Sequence, residues 1–405
     1  MTKSQAAGFL ADGSNRIMTE PLSRIPSGMR YYLGREARLR RTVEATGMAV
    51  FDGWSYEEIT TPTVDYYSLF EQGMGRAEAH RAFRFTDTDG RMLALRPDVT
   101  SAAARAAATL LAEHERPLRL CYAAPVFRQQ PQSHAEWRRE STQMGCELIG
   151  TNTLVADLEV LAIACEFLHR LELDGTYAIT LNDVGIFNGL AEHLRLDPTS
   201  REELRQLIDV RNAADLENFL APRTSASEAQ AYAQIMQLVG KREILDLART
   251  VITNEHSRAA LDRLESLWNV IESLSLTDHF EVDLGDVAKL DYYTGLTFKV
   301  YVRGAGSRVG SGGRYDGLTS SFGKAEPAVG FVIDLDALTD MLRLRTVDVS
   351  STRMSQEKPP DLTTMDSKEE PADDSEDSSR NAHTDLRDAL VKRAKGERVS
   401  LKLVR

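Results

Sequence analysis

The feature that most restricts the fold is the order in which two hydrophobic periods follow one another along the chain. Short stretches at the two-residue period of strands come in two groups, and residues 197 to about 275 between them are written almost wholly at helical period. The first group holds residues 56–61, 83–85, 92–95, 118–128 and 177–181, with Asp89-Gly90 as a hairpin turn signal between the second and third. The second group holds residues 280–284, 296–302 and 329–335, with the glycine-rich stretch 310–317 among them. Strands that follow one another without βαβ alternation predict an α+β fold built on an antiparallel sheet, with 197–275 as a helical insertion. Further helices are expected at 29–46, with Tyr32, Leu39 and Val43 on one side and Gly47 as a stop, at 102–112, and at 154–171 behind the capping candidates Thr151 to Thr153.

Composition narrows the function classes. A formal charge of −12 argues against a surface that neutralises a long tract of phosphates, which needs clustered Lys and Arg. The three cysteines, Cys121, Cys146 and Cys165, lack the spacing of a zinc site or a disulfide framework and fit a reducing cytoplasm. No apolar leader follows the first charges, and no apolar run is long enough to span a bilayer. Residues 1–24 read as a polar extension and 25–345 as the folded unit. Residues 346–405 read as an acidic disordered tail, because a run such as Glu369-Glu370-Pro371-Ala372-Asp373-Asp374 buries too little surface to offset ordering. Its basic end, 385–405 with Lys392-Arg393-Ala394-Lys395, has the pattern of a short amphipathic helix and is expected to be solvated, an RNA or partner contact being the lesser alternative.

Five segments carry a resemblance. Tyr56-Glu57-Glu58-Ile59-Thr60-Thr61-Pro62 is similar to the first signature of class II aminoacyl-tRNA synthetases, and Phe127-Arg128 through Arg139 to Gln143-Met144-Gly145-Cys146-Glu147 to the second. Leu95-Arg96-Pro97-Asp98-Val99-Thr100, Leu290-Asp291-Tyr292-Tyr293-Thr294-Gly295 and Gly312-Gly313-Arg314-Tyr315-Asp316-Gly317-Leu318 resemble segments of histidyl-tRNA synthetases, in the same order. Taken singly, Asp98 and Glu147 read as surface acids, Tyr292-Tyr293 as strand packing, Arg128 as one half of an ion pair and Gly312-Gly313 as a turn. Their joint occurrence in family order is what chance rarely supplies. The resemblance implies a class II synthetase-like antiparallel sheet flanked by helices, and a histidine pocket lined by Asp98, Thr100, Gln143, Glu147, Tyr292 and Tyr293. Arg128 would be a vestige of phosphate binding.

The same comparison implies that adenylation chemistry is lost. Such a reaction needs cations aimed at the α-phosphorus and the leaving pyrophosphate. Histidyl synthetases carry an arginine where this chain has Ala288, and another where it has Ala337, while a family glycine is Asp334. If each cationic donor contributes about 3 kcal/mol to the transition state, two losses slow activation by roughly four orders of magnitude. Lys289 is the one candidate to compensate. The stretch 128–136 also departs from the second signature, and after Arg345 only the polar tail follows where an anticodon-reading domain is expected, which argues against tRNA charging.

This pattern resembles the regulatory-subunit family of ATP phosphoribosyltransferase. It implies no catalytic residues, metal or cofactor, a homodimer that docks with a short-form catalytic subunit in the first step of histidine biosynthesis, and L-histidine as effector. The alternatives are a histidine-activating enzyme using Lys289 and, less compatible with the motifs, a phosphoribosyltransferase.

Overall fold

The computed structural model describes residues 24–130, 137–287, 292–349 and 378–401. Its strands are β1 (Glu57–Glu58), β2 (Val64–Tyr66), β3 (Arg84–Thr86), β4 (Met92–Leu95), β5 (Leu118–Phe127), β6 (Glu140–Ile149), β7 (Tyr177–Asp183), β8 (Val239–Gly240), β9 (Phe280–Asp283), β10 (Leu296–Val302), β11 (Gly310–Arg314) and β12 (Ala328–Asp334). Nine of them make one sheet in the order β1-β5-β6-β12-β11-β10-β7-β9-β8, and β2-β4-β3 make a second, smaller one. The fold is α+β as expected, but the large sheet is mixed: β1 pairs with β5, and β7 with β9, in parallel. Both partners are separated from each other by long intervening chain, which is what a parallel join needs. The expected strand at 56–61 is reduced to the two residues of β1.

Helices cover the sheet. They are α1 (Gly34–Gly53), α2 (Tyr67–Met74), α3 (Arg76–Ala79), α4 (Thr100–Ala108), α5 (Leu154–Arg170), α6 (Val184–His193), α7 (Pro198–Asp209), α8 (Ala213–Leu220), α9 (Ala226–Ile235), α10 (Arg242–Val251), α11 (Glu255–Ser273), α12 (Leu335–Val349) and α13 (Ser378–Ala394). Helix α5 begins where Thr153 Oγ1 accepts from the Ala156 amide at 3.4 Å, and its apolar sequence is buried on most sides between the sheet and α1. Helices α7 to α11, with β8 among them, occupy the stretch 197–275 expected to be helical. Pro198 opens α7 behind an Asp197 cap, and Asn254 caps α11 by accepting from Ser257 N at 2.8 Å. These helices share the main core through Leu204, Leu216, Leu245 and Leu264, and β8 extends the sheet edge. No helix among the described residues is long and apolar enough to cross a membrane.

Two expectations are corrected. Gly47 does not stop α1, which runs on to Gly53. A Cβ at position 47 would lie 2.3 Å from Met144 Cε and 3.1 Å from the Phe167 ring, so glycine here lets the helix pass close over β6 and α5. The basic end of the tail is likewise not solvated. Helix α13 packs on α5 and α11, Leu386, Ala389, Val399 and Leu401 enter the core, and Arg393 donates to both oxygens of Glu166 at 3.1 and 2.8 Å. The following segment is bonded to the domain by Val399 N to Gly53 O at 2.7 Å and Arg119 Nη2 to Leu401 O at 3.0 Å. Composition hides this because a few apolar residues and one guanidinium supply the docking. Residues 1–23, 131–136, 288–291, 350–377 and 402–405, which hold most of the expected extension and acidic tail as well as Ala288 and Lys289, lie outside the described residues.

Leu386 is 1% exposed. Leu386→Ala is expected to cost about 2–5 kcal/mol, the range for emptying a buried leucine site. Urea unfolding would measure it, and a loss below about 0.5 kcal/mol, the scale of a surface substitution, would show that α13 adds nothing to the core.

Candidate functional site

The site is floored by one face of the large sheet. Along β6 the side chains of Ser141, Gln143 and Glu147 share a face with Gly145. The register carries that face across the sheet in transverse rows. One row runs Glu147, Gly330, Gly313, Thr297, and the next runs Gly145, Val332, Ser311, Lys299, with Tyr122 of β5 opposite Gly145. Glycines leave the middle of the floor bare. At Gly330 the close approach is absolute, since a Cβ there would sit 1.9 Å from Glu147 Oε2 and 2.5 Å from the Cys146 carbonyl oxygen.

The walls and roof come from loops and helix ends. Asp98 precedes α4 and Thr100 begins it; Tyr292 and Tyr293 stand beside the floor with ring centroids 4.8 Å apart, and the Tyr292 ring meets Tyr315 edge to face at 5.7 Å. All seven residues singled out from the sequence, Asp98, Thr100, Gln143, Glu147, Tyr292, Tyr293 and Arg128, line a single cavity of about 170 Å³. Ala337 and Asp334 line it too.

Glu147 is 1% exposed and its carboxylate accepts from Tyr122 Oη at 2.8 Å and from Tyr315 Oη. Burial outweighs these bonds and pushes its carboxyl up to about 7. Asp98 is pushed up to about 6 by the same cause, against the pull of Ser101 and the charge of Arg128. Ser101 Oγ donates to Asp98 Oδ2 at 3.1 Å, whereas Asp98 Oδ1 and Gln143 Oε1 are buried with no hydrogen-bond partner among the described residues. Two orphaned acceptors beside two desolvated carboxyls call for a ligand that brings donors and positive charge. Asp334 has a local duty: its carboxylate accepts from Ala337 N at 2.9 Å at the start of α12, and burial raises its carboxyl to about 6.

Several participants were not foreseen. Tyr122 and Tyr315 are the hydrogen-bond donors that hold Glu147, and both stand in segments read as strand or signature, so two-residue alternation from Gln143 and Glu147 across the neighbouring strand would have pointed to Tyr122. The cavity also keeps five basic residues, Arg81, Arg128, Arg138, Lys299 and Arg308. The arginines missing at 288 and 337 therefore do not leave it without cations. Some of these are engaged: Arg81 with Glu78 at 2.5 Å, Lys299 with Asp286, and Arg138 with Asp340. Among the described residues no group of three His, Cys, Asp or Glu is placed to hold a metal ion.

Known proteins share both the sequence and this frame. The family model described as histidyl-tRNA synthetase matches residues 28–338. The ATP phosphoribosyltransferase regulatory subunit of Syntrophotalea carbinolica is 34% identical over 325 residues, which cover 79% of this chain and 75% of that protein. The protein of the same name from Moorella thermoacetica is 35% identical over 316 residues, covering 78% and 80%. The chain belongs to the ATP phosphoribosyltransferase regulatory subunit family. A crystal structure of an ATP phosphoribosyltransferase regulatory subunit/histidyl-tRNA synthetase from Bacillus halodurans superposes with a TM-score of 0.73 at 28% identity, covering 82% of this chain and 90% of that one. In this regulatory-subunit family member the synthetase-like frame is kept and the buried carboxyls stand on it.

Those carboxyls give the protein a pH signature. Glu147 moves from an ordinary 4.5 to about 7 and Asp98 from 3.8 to about 6, so between roughly pH 4 and 7 the folded chain holds more protons than the unfolded one. Their contribution is fully present below the unfolded values and is lost as pH rises through the folded ones. Glu147→Gln is therefore expected to be less destabilising, relative to the parent chain, at pH 8 than at pH 4.5, by on the order of 3 kcal/mol. Denaturant midpoints at the two pH values would measure the difference; a gap that does not change with pH contradicts the assignment.

Proposed function

We propose that this chain is a non-catalytic regulatory subunit that docks with a short-form catalytic ATP phosphoribosyltransferase subunit in the cytoplasm, supports the first step of L-histidine biosynthesis, and holds L-histidine as effector in the cavity above β6. The relatives' name supports the partnership. The observation that carries the ligand reading is the pair of orphaned buried oxygens, Asp98 Oδ1 and Gln143 Oε1, next to the buried carboxyl of Glu147. An α-ammonium group satisfies Asp98, Thr100 and Gln143, and an imidazole, which carries N–H donors and takes up a proton readily, suits Glu147 between the tyrosines. The aromatic rings of Tyr292 and Tyr293 offer flat faces to a planar side chain.

A second copy of the chain is part of the reading. On β2, β3 and β4, Val64 pairs across to Leu95, and Tyr66 and Phe85 pair to Leu93, so these side chains share one face of the small sheet. Val64, Tyr66 and Phe85 are each more than 40% exposed, an apolar face that a lone soluble chain has reason to cover. Histidine then regulates only insofar as it binds two states of the assembly with different affinity.

A histidine-activating enzyme is the competing reading, favoured by the five basic residues around the cavity. Against it stand Ala337 in place of a cation and an aspartate, Asp334, committed to the start of α12. ATP–pyrophosphate exchange with L-histidine separates the two, and exchange at the pace of a synthetase would end the regulatory reading.

Co-purification with a short-form catalytic subunit is expected, with phosphoribosyl transfer to ATP dependent on this chain. In that complex Asp98→Asn, which leaves an ammonium group without its counter-charge, is expected to weaken histidine inhibition by roughly tenfold or more while assembly is kept. Inhibition identical to the parent complex would remove histidine from this cavity.

A further inference from the structure

The side of the cavity away from Glu147 holds donors that the reading above leaves unused. Thr297 and Lys299 stand two residues apart on β10 and share its cavity face, and Arg308 lies just before β11. Thr297 is in the same transverse row as Glu147, three strands away across Gly330 and Gly313, a separation of about 14 Å between backbones that the Glu147 side chain shortens by lying over Gly330. The two walls differ in kind. The β6 wall offers carboxyls and an amide oxygen, whereas this wall offers a hydroxyl, an ammonium and a guanidinium.

The hydroxyl is the telling group. Thr297 is 6% exposed, yet its Oγ1 has no hydrogen-bond partner among the described residues. Beside it Lys299 is held by Asp286, a buried acid whose own backbone carbonyl accepts from Asn182 Nδ2 at 3.0 Å. That arrangement fixes the ammonium at the cavity wall. Arg308 is close enough for its charge to act on both Asp286 and Tyr293, which brings it to the same end of the cavity. Donors of these three types are jointly satisfied by an oxyanion, through charge-assisted bonds that fix its orientation.

Resting on the reading of the cavity as an amino-acid site, we propose that Thr297, Lys299 and Arg308 form the subsite for the α-carboxylate of the bound ligand, so that the cavity selects an amino acid over the corresponding amine or alcohol. The zwitterion is matched end to end: ammonium and imidazole on the acidic wall, carboxylate on the donor wall.

The test is calorimetric titration of the full-length chain with L-histidine and with two analogues, L-histidinol and histamine, that keep the imidazole and the amine but lack the carboxylate. The parent chain should bind L-histidine at least about tenfold more tightly than either analogue. Lys299→Met and Arg308→Gln should each erase most of that preference by weakening L-histidine alone. Lys299→Met leaves Asp286 uncompensated and can unfold the chain, so Thr297→Val, which changes only a hydroxyl, provides a variant of the same shape with the same expected direction. If the parent binds L-histidine and these variants lose the analogues equally, or lose nothing, the subsite is overturned. It is also overturned if the preference survives in all three and disappears in Arg128→Gln, which would put the carboxylate on the opposite wall. A parent chain that binds none of the three compounds overturns the ligand reading itself, and the subsite with it.

Discussion

A carboxylate kept out of water on a glycine floor is the constraint around which the cavity is built. Glu147 has two phenolic donors and, among the described residues, no ion pair. Two neutral hydrogen bonds do not offset the loss of hydration of a full charge, so the group sits with its proton affinity raised. Each neighbouring feature follows from keeping it there. Gly330 must lack a side chain, Tyr122 must lie across Gly145, and Tyr315 must reach in from the far end of β11. A protein that needed Glu147 only for packing would replace it by a neutral residue at a gain in stability. Retaining it makes sense when something positively charged arrives.

The frame that holds those phenols is itself fixed by buried ion pairs. Arg314 donates to Asp157 Oδ1 at 3.0 and 2.7 Å and to the Thr151 carbonyl oxygen at 3.1 Å, tying β11 to the start of α5. The next residue is Tyr315, so this anchor sets where its hydroxyl meets Glu147. On the same face of the sheet, in the same transverse row as Arg314, Arg119 donates to both oxygens of Glu159 of α5 at 2.9 Å each, and the Tyr56 hydroxyl donates to Glu159 at 2.9 Å. Breaking such a pair strands a buried charge, which is costlier than the pair is stabilising. These contacts therefore act as registry pins more than as sources of stability.

Much of this was legible. Strand positions on either side of the helical insertion could be read because two-residue alternation and Gly or Asp-Gly turns leave marks in a single sequence, and the site residues because they fall in ordered signatures. Other parts left no local mark. Gly47 looks like a helix stop, and only the approach of Met144 and Phe167 from distant segments makes it a helix interior. Helix α13 follows a long acidic stretch, and its docking depends on Arg393 finding Glu166 more than two hundred residues away in sequence. Thr297 and Lys299 sit in an ordinary strand pattern; what singles them out is the register that sets Thr297 in the row of Glu147 and Lys299 in the row of Gly145, and register is a tertiary property. The cation count failed for the same reason: reading family positions finds arginines that are missing, and cannot find lysines and arginines that reach the cavity from other strands.

Regulation by a ligand requires an element whose two arrangements the ligand and the partner both distinguish. Strand β6 borders the cavity on one face and packs on α1 and α12. Gln143 faces the cavity, and the adjacent Thr142 faces the other way, its amide donating to Asp336 at 2.7 Å. Asp336 also takes Arg40 of α1 at 2.8 Å, and one turn on, Asp340 of α12 takes Arg30 at 3.0 Å and Arg138 from the segment leading into β6. Arg138 lines the cavity as well, so the same guanidinium borders the ligand space and the α1–α12 charge cluster. Because Gln143 directly follows Thr142 on β6, a shift of Gln143 also moves the residue whose amide is bonded to Asp336. Of that cluster Arg30, Glu36, Arg40 and Asp340 are partly exposed and worth little singly, but Asp336 is 2% exposed and α12 buries Leu335, Leu338 and Met341 in the core, so a shift of α12 against α1 is resisted by buried contacts as well as by charge.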